Sequence, residues 1–582
     1  MAATPDLLPA PPAARGVGAS TPAHEWWIDA IVLLGVGALI GGVVSLAHRW
    51  NAPLRQSVEI DLSASALPVY TALSLARGVI AYVVSLTFTL VYGTIAAHNR
   101  RAERVMIPII DILQGIPVLG FLPGLVLGLV ALFPHSNIGL ELASVVLVFT
   151  GQVWNMTFSF YGSLRGIPSD FRDVARINGF GWWKTFHTLE LPSATIGLIW
   201  NSMMSMAGGW FFLTVTEAFT LGSRDFRLPG IGAYMAVAID RGDRRAMAYA
   251  VVAMVIMIVS VDQLVWRPAL AWAQKFKVEE TAAAEVPRSF LLELLRRSRM
   301  LAWIEREAGR LLTPSRPRRT PAPGGGDARH WRWITSLAGW SVAIAGLALA
   351  AWGAAHLALL VAALRLREWL ALAGALGLTF LRTSATLVLG AAWAVPVGVW
   401  IGISPRRARL FQQPIQVAAA FPAPMLYPLV TMALLAAGIP FSWGCVALML
   451  LGAQWYILFN VLAGASAMPQ DLREAADTYG LGGWRRWRTL YLPAIFPCLV
   501  TGLITAAGGA WNASIVAEYV HYGGRTLVAP GLGSLITQAS ESANFALLAA
   551  GVLTMSLALV VINRNVWRRL YRLADERFSL NR

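Results

Sequence analysis

A chain of 582 residues that is 57% apolar and only 13% charged carries about half the charge density of a soluble domain, which excludes a soluble multidomain enzyme and a disordered chain. Two cysteines, Cys445 and Cys498, exclude a disulfide scaffold and a zinc cluster and read as small buried hydrophobes. The net charge of +16 would suggest nucleic acid in a soluble protein, but in a membrane protein it marks loops kept in the cytoplasm. No nucleic-acid partner is expected.

A membrane-spanning helix needs about 20 apolar residues. After an N-terminal tail at 1–27, such runs fall near 28–47, 69–97, 105–133, 138–160, 194–215 and 246–266, within a first membrane domain at 28–266. A segment at 267–333 is basic and rich in Pro and Gly, with an amphipathic stretch at 290–311, and reads as a cytoplasmic linker. Further runs near 334–364, 376–403, 414–438, 441–462, 494–516 and 545–562 form a second membrane domain at 334–563, followed by a tail at 564–582. The fold class expected is therefore an all-α polytopic membrane protein of about twelve transmembrane helices in two groups of six.

Basic clusters give the orientation. Arg100, Arg101 and Arg104, then Arg406, Arg407 and Arg409, then Arg564, Arg568, Arg569 and Arg572 all lie on one side if both termini are cytoplasmic. The cluster Arg224, Arg227, Arg241, Arg244 and Arg245 falls on the outer side in that topology, partly offset by Asp225, Asp240 and Asp243. The excess charge resides in segments 98–104, 267–333, 405–409 and 563–582.

The two groups are copies. At an offset of 301 residues, Gly151, Trp154, Pro168, Asp170, Arg172, Ala175, Gly179, Trp183, Leu191, Pro192, Trp210 and Glu217 meet identical residues. So do Arg224, Pro229, Gly230 and Gly232. Upstream the offset is 305, where Arg77, Gly93, Pro117 and Pro123 meet Arg382, Gly398, Pro422 and Pro428. Such coincidence of Pro, Gly and Trp marks an internal duplication. Copies of like orientation each hold an even number of spans, giving parallel repeats about a pseudo-two-fold along the membrane normal.

The loop after the fourth span of each copy is the most informative element. The first reads Pro168-Ser169-Asp170-Phe171-Arg172-Asp173-Val174-Ala175 through Gly179 to Leu191-Pro192. The second reads Pro469-Gln470-Asp471-Leu472-Arg473-Glu474-Ala475-Ala476 through Gly480 to Leu492-Pro493. Pro and an acid open a short helix, and Gly, which tolerates positive φ, closes it. Its simplest role is to tie two spans together; two copies at one offset favour a rigid element that docks on a partner.

This loop resembles the Glu-Ala-Ala loop of permeases from binding-protein-dependent ABC importers. The second copy carries Glu474-Ala475-Ala476, Gly480 and Leu492-Pro493. The first departs as Asp173-Val174-Ala175, keeping the acid, the second Ala and Gly179. The stretch Trp511-Asn512-Ala513-Ser514 resembles the nitrate/sulfonate/taurine branch. The resemblance implies two parallel six-helix permease repeats. It makes Arg172, Asp173, Ala175, Gly179, Arg473, Glu474, Ala475, Ala476 and Gly480 the residues that couple to two ABC ATPase subunits. It further implies a solute-binding protein outside, a bacterial inner-membrane location in the lipid bilayer, and a small, anionic solute.

No P-loop is present: the nearest lookalike, Gly181-Trp182-Trp183-Lys184-Thr185, lacks the Gly before Lys. The chain is thus not expected to be an enzyme or to hold a cofactor, and Mg-ATP would be bound by the partner subunits. The alternative is a secondary transporter with two parallel six-helix repeats. Its best-known class carries Gly-x-x-x-Asp-Arg-x-Gly-Arg-Arg after span two, where this chain reads His98-Asn99-Arg100-Arg101-Ala102-Glu103-Arg104.

Candidates for the solute path follow from polar groups in the spans. Pro108, Pro117 and Pro123 in one copy, and Pro414, Pro422 and Pro428 in the other, are expected to break the third span of each copy beside a cavity. Gln114, Asn155, Asn201, Gln454 and Asn512 are candidate lining residues, with interhelical hydrogen bonding as the alternative role. Trp210 and Trp511, each beside glycines, could gate or simply pack. Arg77 and Arg382, equivalent arginines in apolar runs, could attract an anion, or brace a loop.

Overall fold

The computed structural model describes residues 59–114, 116–221, 224–276, 348, 351–353, 355–522 and 525–578. The first expected span, the linker with its amphipathic stretch and both extreme termini lie outside the described residues. Of the seventh expected span only the end is described, helical and largely exposed over 355–362.

Each half is a run of apolar helices interrupted where the sequence placed Pro or Gly. In the first half these are α1 (Leu67–His98), α2 (Arg100–Leu113), α3 (Leu122–Leu132), α4 (Ile138–Arg165), α5 (Ser169–Ile177) and α6 (Trp182–Thr216). A hairpin of β1 (Ala218–Leu221) and β2 (Arg224–Arg227) follows, then α7 (Ile231–Asp240) and α8 (Arg244–Ala273). The second half repeats the series. Its helices are α9 (Leu366–Gly402), α10 (Pro405–Ala420), α11 (Ala423–Ala436), α12 (Phe441–Ser466), α13 (Gln470–Thr478) and α14 (Gly483–Ala517). They lead to β3 (Tyr519–Tyr522), β4 (Arg525–Val528), α15 (Leu532–Glu541) and α16 (Phe545–Phe578).

Eight of these helices are long and apolar enough to cross a membrane: α1, α4, α6, α8, α9, α12, α14 and α16. The breaks expected from the prolines of the third span are present. The third run of each copy is a broken pair rather than one helix. Between α10 and α11 the chain bends by 88°, because Phe421 precedes Pro422 and is held extended at φ −70°, ψ 128°. In the first half Pro117 is likewise extended, at φ −66°, ψ 115°, between α2 and a 3₁₀ turn at Val118–Phe121 that leads into α3.

The helices pack in the same order in both halves, α1 on α4 on α6 and α9 on α12 on α14. Glycines matched in the repeat mark the closest approaches. A Cβ on Gly93 would meet the Phe160 ring at 2.6 Å, and one on its counterpart Gly398 would meet Val461, the counterpart of Phe160, at 2.8 Å. Without a hydrophobic drive between helices in lipid, such close packing supplies the association energy. The largest buried core joins residues of both halves, from Val118 and Trp210 to Met425 and Trp511. The two hairpins were not anticipated. They pair Leu221 with Arg224 and Tyr522 with Arg525 across two-residue connections, and the Gly523-Gly524 dipeptide was the available signal.

Candidate functional site

A cavity of about 280 Å³ lies between the halves, and the repeat explains its lining. Gly151 and Gly452, Trp154 and Trp455, Asn155 and Tyr456, Met204 and Thr505, Gly208 and Gly509, and Phe211 and Asn512 all border it. Each pair occupies equivalent positions at the 301-residue offset. The helices α4, α6, α12 and α14 present these residues, and the breaks beside α2 and α10 add Gln114, Val118, Ala419 and Phe421.

Polar groups divide into those already satisfied and those left open. Asn512 accepts from the Val118 N–H at 2.8 Å and donates to Gly508 O at 3.1 Å, tying α14 to the break in the opposite half. Gln114 donates to Asp111 at 3.0 Å. The side chains of Trp154, Asn155, Trp455 and Tyr456 have no hydrogen-bond partner among the described residues. Asp111 is the one Asp, Glu, Lys, Arg or His among the described lining residues, and it pairs with Arg568 at 3.2 Å.

The structure thus brings Gln114, Asn155 and Asn512 together and places other candidates elsewhere. Asn201 donates to Ser159 Oγ at 2.9 Å and Gly197 O at 3.0 Å, an interhelical bond. Gln454 is half-buried on α12, away from the lining. Trp210 borders a second, more apolar cavity of about 500 Å³ and fits against Gly78, whose Cβ would meet it at 2.6 Å. Trp511 is buried in the main core.

Arg77 and Arg382 do not reach the cavity. Arg77 is fully buried, bidentate to Glu141 at 2.6 and 2.9 Å and bonded to Glu217 at 2.8 Å and Pro229 O at 2.9 Å. Arg382 holds Glu518 at 2.9 Å, Pro530 O at 2.8 Å and Ser442 O at 2.9 Å. A carboxylate lies against each guanidinium, a geometry that fits the bracing alternative. Glu217 and Glu518 also each cap a short helix. Glu217 accepts from the Gly232 N–H at 2.7 Å and Glu518 from the Gly533 N–H at 2.9 Å, at the positive ends of α7 and α15. These buried acids were missed as site residues, although the match of Glu217 to Glu518 within apolar sequence was their signal.

The loops after α4 and α12 form short capped helices. Asp170 and Asp471 lie in the first turns of α5 and α13. Gly179 and Gly480 adopt φ of +64° and +62°. Phe180 and Leu481 then return N–H bonds to Ala175 O and Ala476 O at 3.0 and 2.9 Å, closing the helices as expected.

Burial sorts the candidate coupling residues into two sets. Ala175 and Ala476 are buried, Ala476 against Met468 and Leu490. Arg172 donates to Leu164 O at 2.5 Å and Arg473 to Ala465 O at 3.0 Å, capping the last turns of α4 and α12. These four residues attach the loop helix to its own chain. Asp173, Glu474 and Ala475 are exposed, beside exposed Phe171, Val174 and Ile177 in the first copy and Leu472, Tyr479 and Trp484 in the second.

A duplicated helical membrane protein with a cavity bordered by equivalent positions of its two copies, and with two capped loops, defines a class of transport proteins. The chain belongs to the family of binding-protein-dependent transport system inner membrane components, which it matches twice, over residues 89–265 and 394–578. It is similar to a putative ABC transporter permease of Methanocaldococcus jannaschii, 26% identical over 200 residues, covering 33% of this chain and 72% of the relative. It is also similar to a putative aliphatic sulfonates transport permease of Bacillus subtilis, 22% identical over 145 residues, 25% of this chain and 50% of the relative. A nitrate import permease of Leptolyngbya laminosa is 24% identical over 182 residues, 31% of this chain and 62% of the relative.

Proposed function

We propose that this permease forms both membrane halves of an ABC importer in one chain, with separate ATPase subunits docking on α5 and α13 and a solute-binding protein at the opposite face. The observation that carries this reading is the cavity of about 280 Å³ that equivalent positions of α4, α6, α12 and α14 line from both halves. A rigid capped helix transmits a rigid-body movement to such an interface, whereas a loose loop would absorb it. Mg-ATP would be held by the partner subunits, and the basic clusters favour cytoplasmic termini.

The solute is a small oxyanion, the chemistry named for the sulfonate and nitrate relatives. Neutral donors would receive it: the indole N–H groups of Trp154 and Trp455, the Asn155 amide and the Tyr456 hydroxyl. No lysine or arginine is among the described lining residues. Neutral dipoles suit a path, because a transported ion must bind well enough to enter and weakly enough to leave.

The test is uptake of labelled nitrate, methanesulfonate and taurine by cells expressing the chain with its neighbouring ATPase and binding protein. ATP-dependent uptake of one of them is expected. A hydrogen bond to a charged group contributes roughly 1.5–3 kcal/mol, so Asn155→Leu with Tyr456→Phe should lower that uptake by at least about tenfold. Uptake that ignores the ATPase and follows an ion gradient would overturn the importer reading in favour of a secondary transporter.

A further inference from the structure

The two seams between the halves carry the same three chemical groups in exchanged positions. At the first seam, Asp262 near the end of α8 accepts from the Gln416 amide of α10 at 2.7 Å. The same carboxylate pairs with Arg267 at 3.4 Å. The repeat gives counterparts for all three: Asn563 for Asp262, Asp111 for Gln416 and Arg568 for Arg267. At the second seam, accordingly, the acid is on α2 and the amide on α16. Arg568 reaches across from α16 to Asp111 at 3.2 Å, and Asn563 borders the same cavity as Asp111. Acid and amide have traded places, and arginine stays put.

The local backbone is built for this. Both α8 and α16 contain a π-helical turn, at Asp262–Trp266 and Asn563–Trp567. Arg267 and Arg568 follow directly. A π turn inserts an extra residue and re-aims the side chains around it, and such turns concentrate at functional positions. Each set spans two halves, so each binds the broken helix of one half to the last span of the other.

The seams differ in environment. The Asp262 side chain is 9% exposed and is held by Gln416 across the seam and by Arg267 of its own helix. Asp111 is 30% exposed, Arg568 is 62% exposed, and their bond borders the central cavity. A solvated ion pair separates at little cost, whereas a buried one resists separation.

We infer that the two sets are positioning residues of unequal strength: Asp111–Arg568 is the latch that parts when the cavity opens, and Asp262–Gln416–Arg267 is the pivot that stays closed. Opening is therefore one-sided despite the duplication. The inference rests on the transport reading above, because it needs an interface that opens and closes in a cycle.

The experiment uses the full chain copurified with its ATPase subunits in nanodiscs, with Cys445 and Cys498 replaced by Ser. Nitroxides at Ser169→Cys and Gln470→Cys report the separation of α5 and α13 by pulsed EPR, without nucleotide and with ATP and vanadate. ATP hydrolysis is measured in parallel. Asp111→Gln should broaden the nucleotide-free distance distribution and raise basal hydrolysis severalfold, with ATPase copurification intact.

Adding Asn563→Asp rebuilds at the second seam the arrangement of the first, and should return both readouts to wild type. Asp262→Asn should instead reduce assembly, and Gln416→Asp in the same chain should restore it. A double variant no better than Asp111→Gln alone, or Asp111→Gln leaving distances and hydrolysis unchanged, would overturn the inference while the wild-type cycle still stands. Failure of the wild-type chain to copurify any ATPase would overturn the transport reading and the inference with it.

Discussion

Arg77 and Glu217 lie 2.8 Å apart with neither side chain exposed to solvent. Glu141 completes this node as a second carboxylate on the same guanidinium. In the second half the position of Glu141 is taken by Ser442, whose backbone carbonyl binds Arg382 in its place. Removing one partner of a buried pair costs roughly 3–5 kcal/mol because the other charge is left unpaired. Arg77→Gln strands two carboxylates and Arg382→Gln only one. The thermal midpoint of the purified protein, followed by fluorescence-detected gel filtration, should fall further for Arg77→Gln than for Arg382→Gln. Equal losses would mean that Glu141 contributes nothing to the first node.

The glycines beside these nodes have a steric reason. A Cβ on Gly531 would sit 2.4 Å from Glu518 Oε2, and one on Gly230 would sit 2.3 Å from the Glu217 carboxylate. Gly531→Ala should therefore destabilise the chain by displacing the carboxylate from α15. Gly162 on α4 has open space around its Cβ position, so Gly162→Ala should be neutral or stabilising by up to about 1 kcal/mol. The same gel-filtration assay separates the two outcomes.

How far the sequence reached can be judged from these residues. The duplication, the helices, the breaks at Pro117 and Pro422 and the caps at Gly179 and Gly480 were legible because Pro and Gly act locally on φ and ψ. The partners of Arg77 were not, since Glu141, Glu217 and Pro229 are 64 to 152 residues away in the chain, and no local pattern joins them. Trp154 and Trp455 were read only as proof of a repeat, although identical residues at equivalent positions around a pseudo-two-fold are where a shared cavity has to form. The bracing role of Arg172 and Arg473 was equally hidden, because it depends on which way a long side chain folds back onto α4 or α12.

The exposed apolar face of α5 separates docking from folding. Phe171 and Ile177 are 50% and 84% exposed, whereas Arg473 caps α12 through Ala465 O and Met468 O. Phe171→Ser with Ile177→Ser should abolish ATPase copurification and leave the thermal midpoint of the permease alone within about 1 °C, as expected for surface positions. Arg473→Ala should lower that midpoint as well. A loss of stability in the serine variant would mean that this face packs on the chain itself.

His521 on β3 gives the second hairpin a pH dependence of defined sign. Its Nε2 lies 3.2 Å from Glu541 Oε1 and its Nδ1 lies 3.0 Å from Thr526 Oγ1. Glu541 is also bonded to the Tyr519 hydroxyl. The hydrogen bond to Glu541 raises the imidazole above its usual range, and the charges of Glu541 and Asp240 add to this against a smaller effect of burial. A raised folded-state value means that the contact stabilises fully below the unfolded value of about 6.5 and is lost as pH rises through the higher folded value. The pair is half-exposed, so the effect is under about 1 kcal/mol, or at most about 2 °C in a chain of this size. Wild-type thermal midpoints should therefore fall slightly between pH 6 and pH 8.5, and His521→Gln should flatten that decline. A variant profile parallel to wild type would show that protonation of His521 does not contribute to holding the hairpin against α15.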